Sequence, residues 1–328
     1  MKVLFIEGRW ARDIEKSKNL MELREHAEVE ITRETDQNVL SEKAKDVEVI
    51  ITGAPITATI IDNASKLKLI QTTSVGYDRI DLKSAIDHGV VICNVAESNA
   101  NSVAELVFGL ILNVSRRISA HDRSMRKGEW ERVDLERQLQ IRHKTLGIVG
   151  LGAIGSRVAQ IGRNAFNMKI LACDPYIINE RAEQFYGKLV DLHTLMSESD
   201  IVTIHVPLNE ETRHMIGEKE LSLLKPSAIF INSSRGPVVD EKALIKILEE
   251  KRISGAGLDV FEKEPLPKDS PLRSMENVVL VPHIGSASDA LRHMVEVSIM
   301  NVIRVTKDME PFRIQTPEVY YTSPKWKK

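Results

Sequence analysis

Short apolar runs alternate with amphipathic stretches from one end of the chain to the other. Val3–Ile6, Val47–Thr52, Leu67–Thr72 and Val90–Val95 read as one set of strands. A second set is Thr145–Gly150, Lys169–Asp174, Ile201–Val206, Ala228–Asn232, Ala256–Val260 and Val278–Pro282. Between them, apolar residues recur at i, i+3 and i+4, as in Ile154–Ala165 and Glu241–Glu250, and predict helices. Strand–helix alternation of this kind predicts parallel, doubly wound sheets. Several strands are rich in Val and Ile throughout, as strands covered on both faces should be. The two sets divide near Asn101, where a long helical pattern without proline runs from Ser102 to about Lys127 and meets Gly128. A last helical pattern, Ala287–Met309, leads into a polar tail with Pro311, Pro317 and Pro324.

Length and composition sharpen this picture only in places. At 328 residues the chain is long for one core and suits two domains. A formal net charge of −2 argues against a general affinity for nucleic acid or acidic membranes. The apolar run at Val3–Ile6 is too short for a signal segment, and no run reaches the roughly 18 residues of a membrane span. Cys93 and Cys173 stand singly in apolar runs and are expected to be reduced, buried thiols of a cytoplasmic protein. None of the nine histidines has metal-ligand spacing, so no metal is expected. The charged stretch Glu129–His143 lacks a clear period and reads as a surface arm that embraces a second subunit of a homodimer.

The most specific motif is G-x-G-x-x-G at Gly150, Gly152 and Gly155, which follows an apolar strand and opens a helical pattern with Ala153 and Ile154. Gly150 allows a tight turn, Gly152 lets backbone approach a pyrophosphate, and Gly155 lets helix and strand pack closely. The helix start offers free N–H groups and a positive dipole end to phosphates. The next strand ends in Asp174, 19 positions after Gly155, where a carboxylate accepts from ribose hydroxyls and repels a 2′-phosphate. No arginine follows in Pro175-Tyr176, so the cofactor expected is NAD. The preceding helix closes at Phe166-Asn167-Met168, with Asn167 expected in the left-handed region.

Three further segments each place a reactive residue just after a strand, at the edge where open α/β sheets bind ligands. They are Asn232-Ser233-Ser234-Arg235-Gly236, Asp259-Val260-Phe261-Glu262-Lys263-Glu264-Pro265 and Pro282-His283-Ile284-Gly285. An arginine fork holds a carboxylate, a histidine delivers a proton, and a carboxylate orients and charges that histidine. These segments and the glycine motif appear in the order and spacing of the D-isomer-specific 2-hydroxyacid dehydrogenases, and nearly the whole chain resembles that family. The resemblance implies that Arg235 binds the substrate carboxylate and carbonyl, that His283 is the acid/base, and that Glu264 pairs with it. It implies that Asp259 holds the nicotinamide carboxamide, and it places Ser233, Ser234, Val206, Pro207, Ser102 and Gly285 beside the cofactor. His205, at a strand end, reads as structural. In the first domain, Ser74–Asp78 resembles the family's substrate loop, with backbone at Val75 and Gly76 meeting the carboxylate, and Asn99 facing the substrate.

The fold expected is therefore α/β with two doubly wound parallel-sheet domains. A Rossmann cofactor domain, 102–284, is inserted in a flavodoxin-like substrate domain, 1–101 and 285–328. The activity expected is hydride transfer between NAD(H) and a small D-2-hydroxy acid/2-oxo acid pair such as glyoxylate or hydroxypyruvate. Ser74–Asp78 is most similar to glyoxylate/hydroxypyruvate reductases, whereas Asn99–Glu105 is more similar to phosphoglycerate and formate dehydrogenases. Formate dehydrogenases carry glutamine where this chain has Glu264, which disfavours that activity. D-3-phosphoglycerate dehydrogenase is the alternative substrate reading. An NAD(H)-sensing corepressor-like binding protein is the non-enzymatic one, since such proteins keep the same Arg, Glu and His.

Overall fold

The computed structural model describes residues 1–6, 14–130, 132, 138–184 and 187–326. They form two units, Met1–Asn99 with Ser286–Lys328, and Ala100–Gly285.

The first unit contains strands β1 (Lys2–Ile6), β2 (Glu28–Thr32), β3 (Val49–Thr52), β4 (Leu69–Thr72) and β5 (Val91–Cys93). Their spatial order is β2-β1-β3-β4-β5, with every pair parallel. Register sets Val3 opposite both Val29 and Val49. Alternate side chains enter two different cores, as the strand period of two requires. Val3, Phe5, Val49, Ile51, Leu69 and Val91 pack with Ile299 and Val302, whereas Leu4, Ile6, Ile50, Ile70 and Ile92 pack with Leu40, Ile60 and Ile61. Helix Ser288–Thr306 thus returns the end of the chain to a sheet built from its beginning. A buried polar contact fixes that return: Asn301 Nδ2 donates to Gln71 Oε1 at 2.6 Å, and Ser298 Oγ donates to Thr72 O at 3.0 Å.

The second unit contains β6 (Thr145–Val149), β7 (Lys169–Cys173), β8 (Gly187–Leu189), β9 (Ile201–Ile204), β10 (Ile229–Asn232), β11 (Gly255–Leu258) and β12 (Val278–Leu280). The order is β12-β11-β10-β9-β6-β7-β8, again parallel throughout. The strand order reverses between β6 and β9, which is where such sheets bind ligands at their carboxyl ends. Phe230, Val202 and Leu171 enter one core, and Ile229, Ile231, Ile148 and Ile170 enter the other. Helix Ala153–Phe166 ends at Asn167, which has φ 50° as the sequence predicts, and its N–H donates to Arg163 O at 3.1 Å.

Two sequence expectations are corrected. The pattern at 102–127 is two helices, Ala100–Arg116 and Ile118–Arg126, because Arg117 adopts φ 54°. Buried Arg117 donates from Nη2 to Ser254 O at 3.2 Å, and Asn113 Oδ1 captures the Ser119 N–H at 2.9 Å. Side-chain bonds that compete with the helix ladder are invisible to periodicity. The second correction is that β2 and β8 were not among the expected strands. Both lie at sheet edges, one alternating Glu with Val and Ile, the other only Gly-Lys-Leu, so neither has the apolar run of an interior strand. Elsewhere only ends shift: the last long helix is Ser288–Thr306, not Ala287–Met309; β3, β4 and β10 start one or two residues late, and β5, β6, β7, β9, β11 and β12 stop one or two residues early. Residues 131 and 133–137 of the expected arm lie outside the described residues.

Candidate active site

The glycine turn is anchored from both neighbouring strand ends. Gly150 has φ 91°, its N–H donates to Cys173 O at 2.9 Å, and His205 N–H donates to Val149 O at 2.7 Å. A Cβ on Gly155 would lie 2.0 Å from Gly150 O, so the helix can leave the turn at this angle only with glycine there. At Gly152 the same atom would meet nothing within 4 Å among the described residues, leaving open space over the turn. Helix Ala153–Phe166 starts there, with Ala153 and Ile154 in its first turn and no side-chain cap on its N–H groups. Asp174 does more than its sequence position suggested. Its Oδ2 accepts the Leu151 N–H at 2.9 Å and its Oδ1 the Tyr176 N–H at 3.0 Å, so the carboxylate braces the glycine turn itself. Val206 packs beside the turn, close to where a Gly150 Cβ would be, and Pro207 O accepts from Thr212 Oγ1 at 2.6 Å.

The three reactive segments leave β10, β11 and β12, which are adjacent and parallel, so they emerge on one edge. Backbone bonds carry the strand register into the loops: Asp259 N–H donates to Asn232 O, and His283 N–H donates to Asp259 O, both at 2.9 Å. His283 has φ 53°, an uncommon conformation for a residue with a Cβ, held here by those flanking bonds. Its Nδ1 lies 2.8 Å from Glu264 Oε2. The second carboxylate oxygen, Oε1, accepts the Phe261 N–H at 3.2 Å. Partial burial pushes the Glu264 carboxyl up, but the hydrogen bond and charge of His283, the Phe261 N–H and the Arg235 charge outweigh it and hold it below the usual range. An ionised carboxylate only accepts, so Nδ1 carries the proton toward Glu264 and Nε2 is left for exchange.

Arg235 follows β10 and donates from Nη1 to Ser234 O at 2.9 Å. Asp259 is buried, and burial raises its carboxyl although the Ile284 N–H donates to Oδ1 at 2.6 Å. Ser102 Oγ donates to Gly285 O at 3.0 Å, tying the start of helix Ala100–Arg116 to the segment after His283. Burial pushes His205 down to about 3, so its ring is neutral, and Nε2 meets Thr203 Oγ1 at 3.0 Å.

Ser74–Asp78 and Asn99, which the sequence resemblance assigns to the substrate, belong to the first unit. Side chains engage three carbonyls: Thr72 Oγ1 donates to Ser74 O at 2.6 Å, Asn94 Nδ2 to Val75 O at 2.8 Å, and Ser74 Oγ to Gly76 O at 2.7 Å. Asn99 Nδ2 donates to Ser286 Oγ at 2.9 Å, while its buried Oδ1 has no partner among the described residues.

Sequence reasoning missed Asn232. Its Oδ1 accepts both the N–H and Oγ–H of Ser234 at 3.0 Å, and its Nδ2 donates to Arg235 O at 3.1 Å. Asn followed two residues later by Ser is the available signal, a side-chain-closed turn. The Ser233 Oγ beside it is buried and has no partner among the described residues. That orphaned hydroxyl, the open space at Gly152, the uncapped helix start and the Asp174 carboxylate together fit a dinucleotide. Among the described residues, no helix is long and apolar enough to cross a membrane, and no His/Cys/Asp/Glu group could hold a metal ion.

Comparison with known proteins agrees with this geometry. Residues 108–285 match the family model described as D-isomer specific 2-hydroxyacid dehydrogenase, NAD binding domain. A glyoxylate reductase of Thermococcus litoralis is 42% identical over 88% of this chain and 89% of its own length. A D-3-phosphoglycerate dehydrogenase of Methanocaldococcus jannaschii is 41% identical over 81% of this chain, which spans only 51% of that longer protein. The crystal structure of a glyoxylate reductase from Paecilomyes thermophila superposes with a TM-score of 0.87 at 28% identity, covering 97% of this chain and 99% of that one. With both parallel sheets, the glycine turn and a paired His283 and Glu264 in place, the chain belongs to the D-isomer-specific 2-hydroxyacid dehydrogenases, a family of NAD(P)-dependent oxidoreductases.

Proposed function

We propose that the protein reduces a small, unphosphorylated 2-oxo acid such as glyoxylate or hydroxypyruvate with NADH, and catalyses the reverse oxidation of the D-2-hydroxy acid. The observation that carries this reading is the 2.8 Å contact between His283 Nδ1 and Glu264 Oε2, on the sheet edge that also presents Arg235. NADH would be held by the Gly150–Gly155 turn, Asp174, Ser233, Ser234, Ser102, Gly285, the Val206-Pro207 segment and Asp259, and supplies the hydride when bound. In reduction, His283 Nε2 donates a proton to the carbonyl oxygen, and Glu264 stabilises the imidazolium through Nδ1. Arg235 binds the carboxylate and the polarised carbonyl. In oxidation the neutral ring takes the hydroxyl proton. Val75, Gly76 and Asn99 are assigned to substrate binding.

The preference for an unphosphorylated acid rests on charge. Burying a dianion without partners is very costly. Residues 51–57 contain no Lys or Arg, and Arg79 is exposed to solvent. Asp174 supports NAD over NADP, because its carboxylate repels a 2′-phosphate. A homodimer accords with exposed Ile118, Met125 and Trp130 near the 129–143 stretch, and a cytoplasmic setting with two unpaired cysteines.

The test is turnover by His283→Ala and Arg235→Ala with NADH and glyoxylate or hydroxypyruvate. Loss on the order of 10²–10⁴-fold in kcat/KM, with NADH binding retained, supports the assignment. Wild-type turnover in both variants contradicts it.

A further inference from the structure

We propose that His214, Glu262 and Glu241 form a positioning network that holds the Arg235 segment against the Glu264 segment. This rests on the catalytic reading above. The three side chains lie in one unit, and none of them is itself assigned to substrate or cofactor.

The observations start at Gly236, immediately after Arg235. A Cβ there would lie 1.9 Å from the Phe261 carbonyl carbon and 2.4 Å from Glu262 N, so the two loops touch backbone to backbone. Close packing of this kind has no directional hold of its own, and polar bonds on either side supply it. On one side, His214 Nε2 pairs with Glu262 Oε1, and His214 N–H donates to Pro237 O at 2.8 Å. His214 therefore joins the loop bearing Glu262 to the loop bearing Arg235 with one residue. It does so with φ 53°, a conformation that needs support from its surroundings. A ladder continues this tie: Ile216 N–H donates to Val238 O at 3.2 Å, and Asp240 N–H to Ile216 O at 3.0 Å.

On the other side, Glu241 opens helix Glu241–Glu249, just beyond the Arg235 loop. Its Oε2 accepts the Glu262 N–H at 3.0 Å. Burial pushes the Glu241 carboxyl up, and the nearby Glu262 charge adds to that, partly offset by the bond to the Glu262 N–H. A half-buried acid beside a second acid is an arrangement that packing alone would avoid. Glu262 thus takes a bond from each direction, through its backbone to Glu241 and through its side chain to His214. Two residues further on, Glu264 bonds the Phe261 N–H and His283. Displacing Phe261–Glu262 moves one anchor of the Glu264 carboxylate.

The experiment combines kinetics with a double-mutant cycle on the full chain. Glu262→Ala and His214→Ala are expected to lower kcat for glyoxylate or hydroxypyruvate on the order of tenfold to a hundredfold. NADH dissociation constants by fluorescence should stay within about twofold, since uniform binding is untouched. Glu262→Gln should recover most of the rate, because its carbonyl still accepts from His214. In a Glu264→Gln background, Glu262→Ala should cost less than about threefold, because coupled residues are not additive. Unchanged kcat in both alanine variants, or the same factor lost in both backgrounds, overturns the network and leaves the catalytic reading standing. A wild-type protein inert toward every 2-oxo acid overturns the catalytic reading itself, and this inference with it.

Discussion

Asp174 joins a proposed cofactor role to an observed structural one. It is proposed to receive the ribose hydroxyls, and it accepts the Leu151 and Tyr176 N–H groups. A lost charge-assisted bond costs about 1.5–3 kcal/mol, roughly tenfold or more in affinity. Asp174→Ala should therefore raise KM for NADH and narrow the preference over NADPH; equal kcat/KM for the two cofactors in the wild type contradicts the assignment. Asp174→Asn keeps one acceptor oxygen and should retain more thermal stability than the alanine variant, which melting curves check. Glu264 gives a pH signature. Its carboxyl is depressed in the folded chain from an ordinary value of 4.5, so the stability it contributes is present above that value. That contribution disappears as pH falls through the folded value. The stability gap between wild type and Glu264→Gln should be widest at neutral pH and close in acid, as denaturant titrations at several pH values would show. In the rate profile for reduction, the lost anion should move the alkaline limb of Glu264→Gln to lower pH. An unmoved limb removes Glu264 from proton transfer.

Among the elements, the strand–turn–helix at Gly150–Phe166 makes a paired prediction. Gly155→Ala puts a Cβ 2.0 Å from Gly150 O, and such overpacking costs about 1–3 kcal/mol. Melting should fall by about 2–4 °C for each kcal/mol. Gly152→Ala meets nothing within 4 Å among the described residues, so it should melt near the wild type yet bind NADH more weakly if phosphate lies over this turn. Equal NADH affinity in Gly152→Ala and wild type speaks against that placement. The interior strands and this helix were legible because burial on both faces writes a continuous apolar run and a period of 3.6 into the chain. Edge strands β2 and β8 leave no such run. The break at Arg117 depends on partners 137 and 6 residues away, Ser254 for its own guanidinium and Ser119 for Asn113, which local pattern does not report.

For the whole molecule, the site was legible as a set of segments, each a reactive residue at the end of a strand. What sequence could not supply was their mutual geometry. The bonds Asp259 N–H to Asn232 O and His283 N–H to Asp259 O follow from strand order, and strand order is a tertiary outcome. Asn232 and Glu262 escaped notice for the same reason, since they act on neighbours that only folding brings near. The identity of the substrate is the claim on which the account depends most. It is tested most directly by wild-type kcat/KM in NADH oxidation with glyoxylate, hydroxypyruvate and phosphohydroxypyruvate. An unphosphorylated acid is expected to give the highest value; a preference of about tenfold or more for phosphohydroxypyruvate, some 1.4 kcal/mol in transition-state binding, would contradict the assignment.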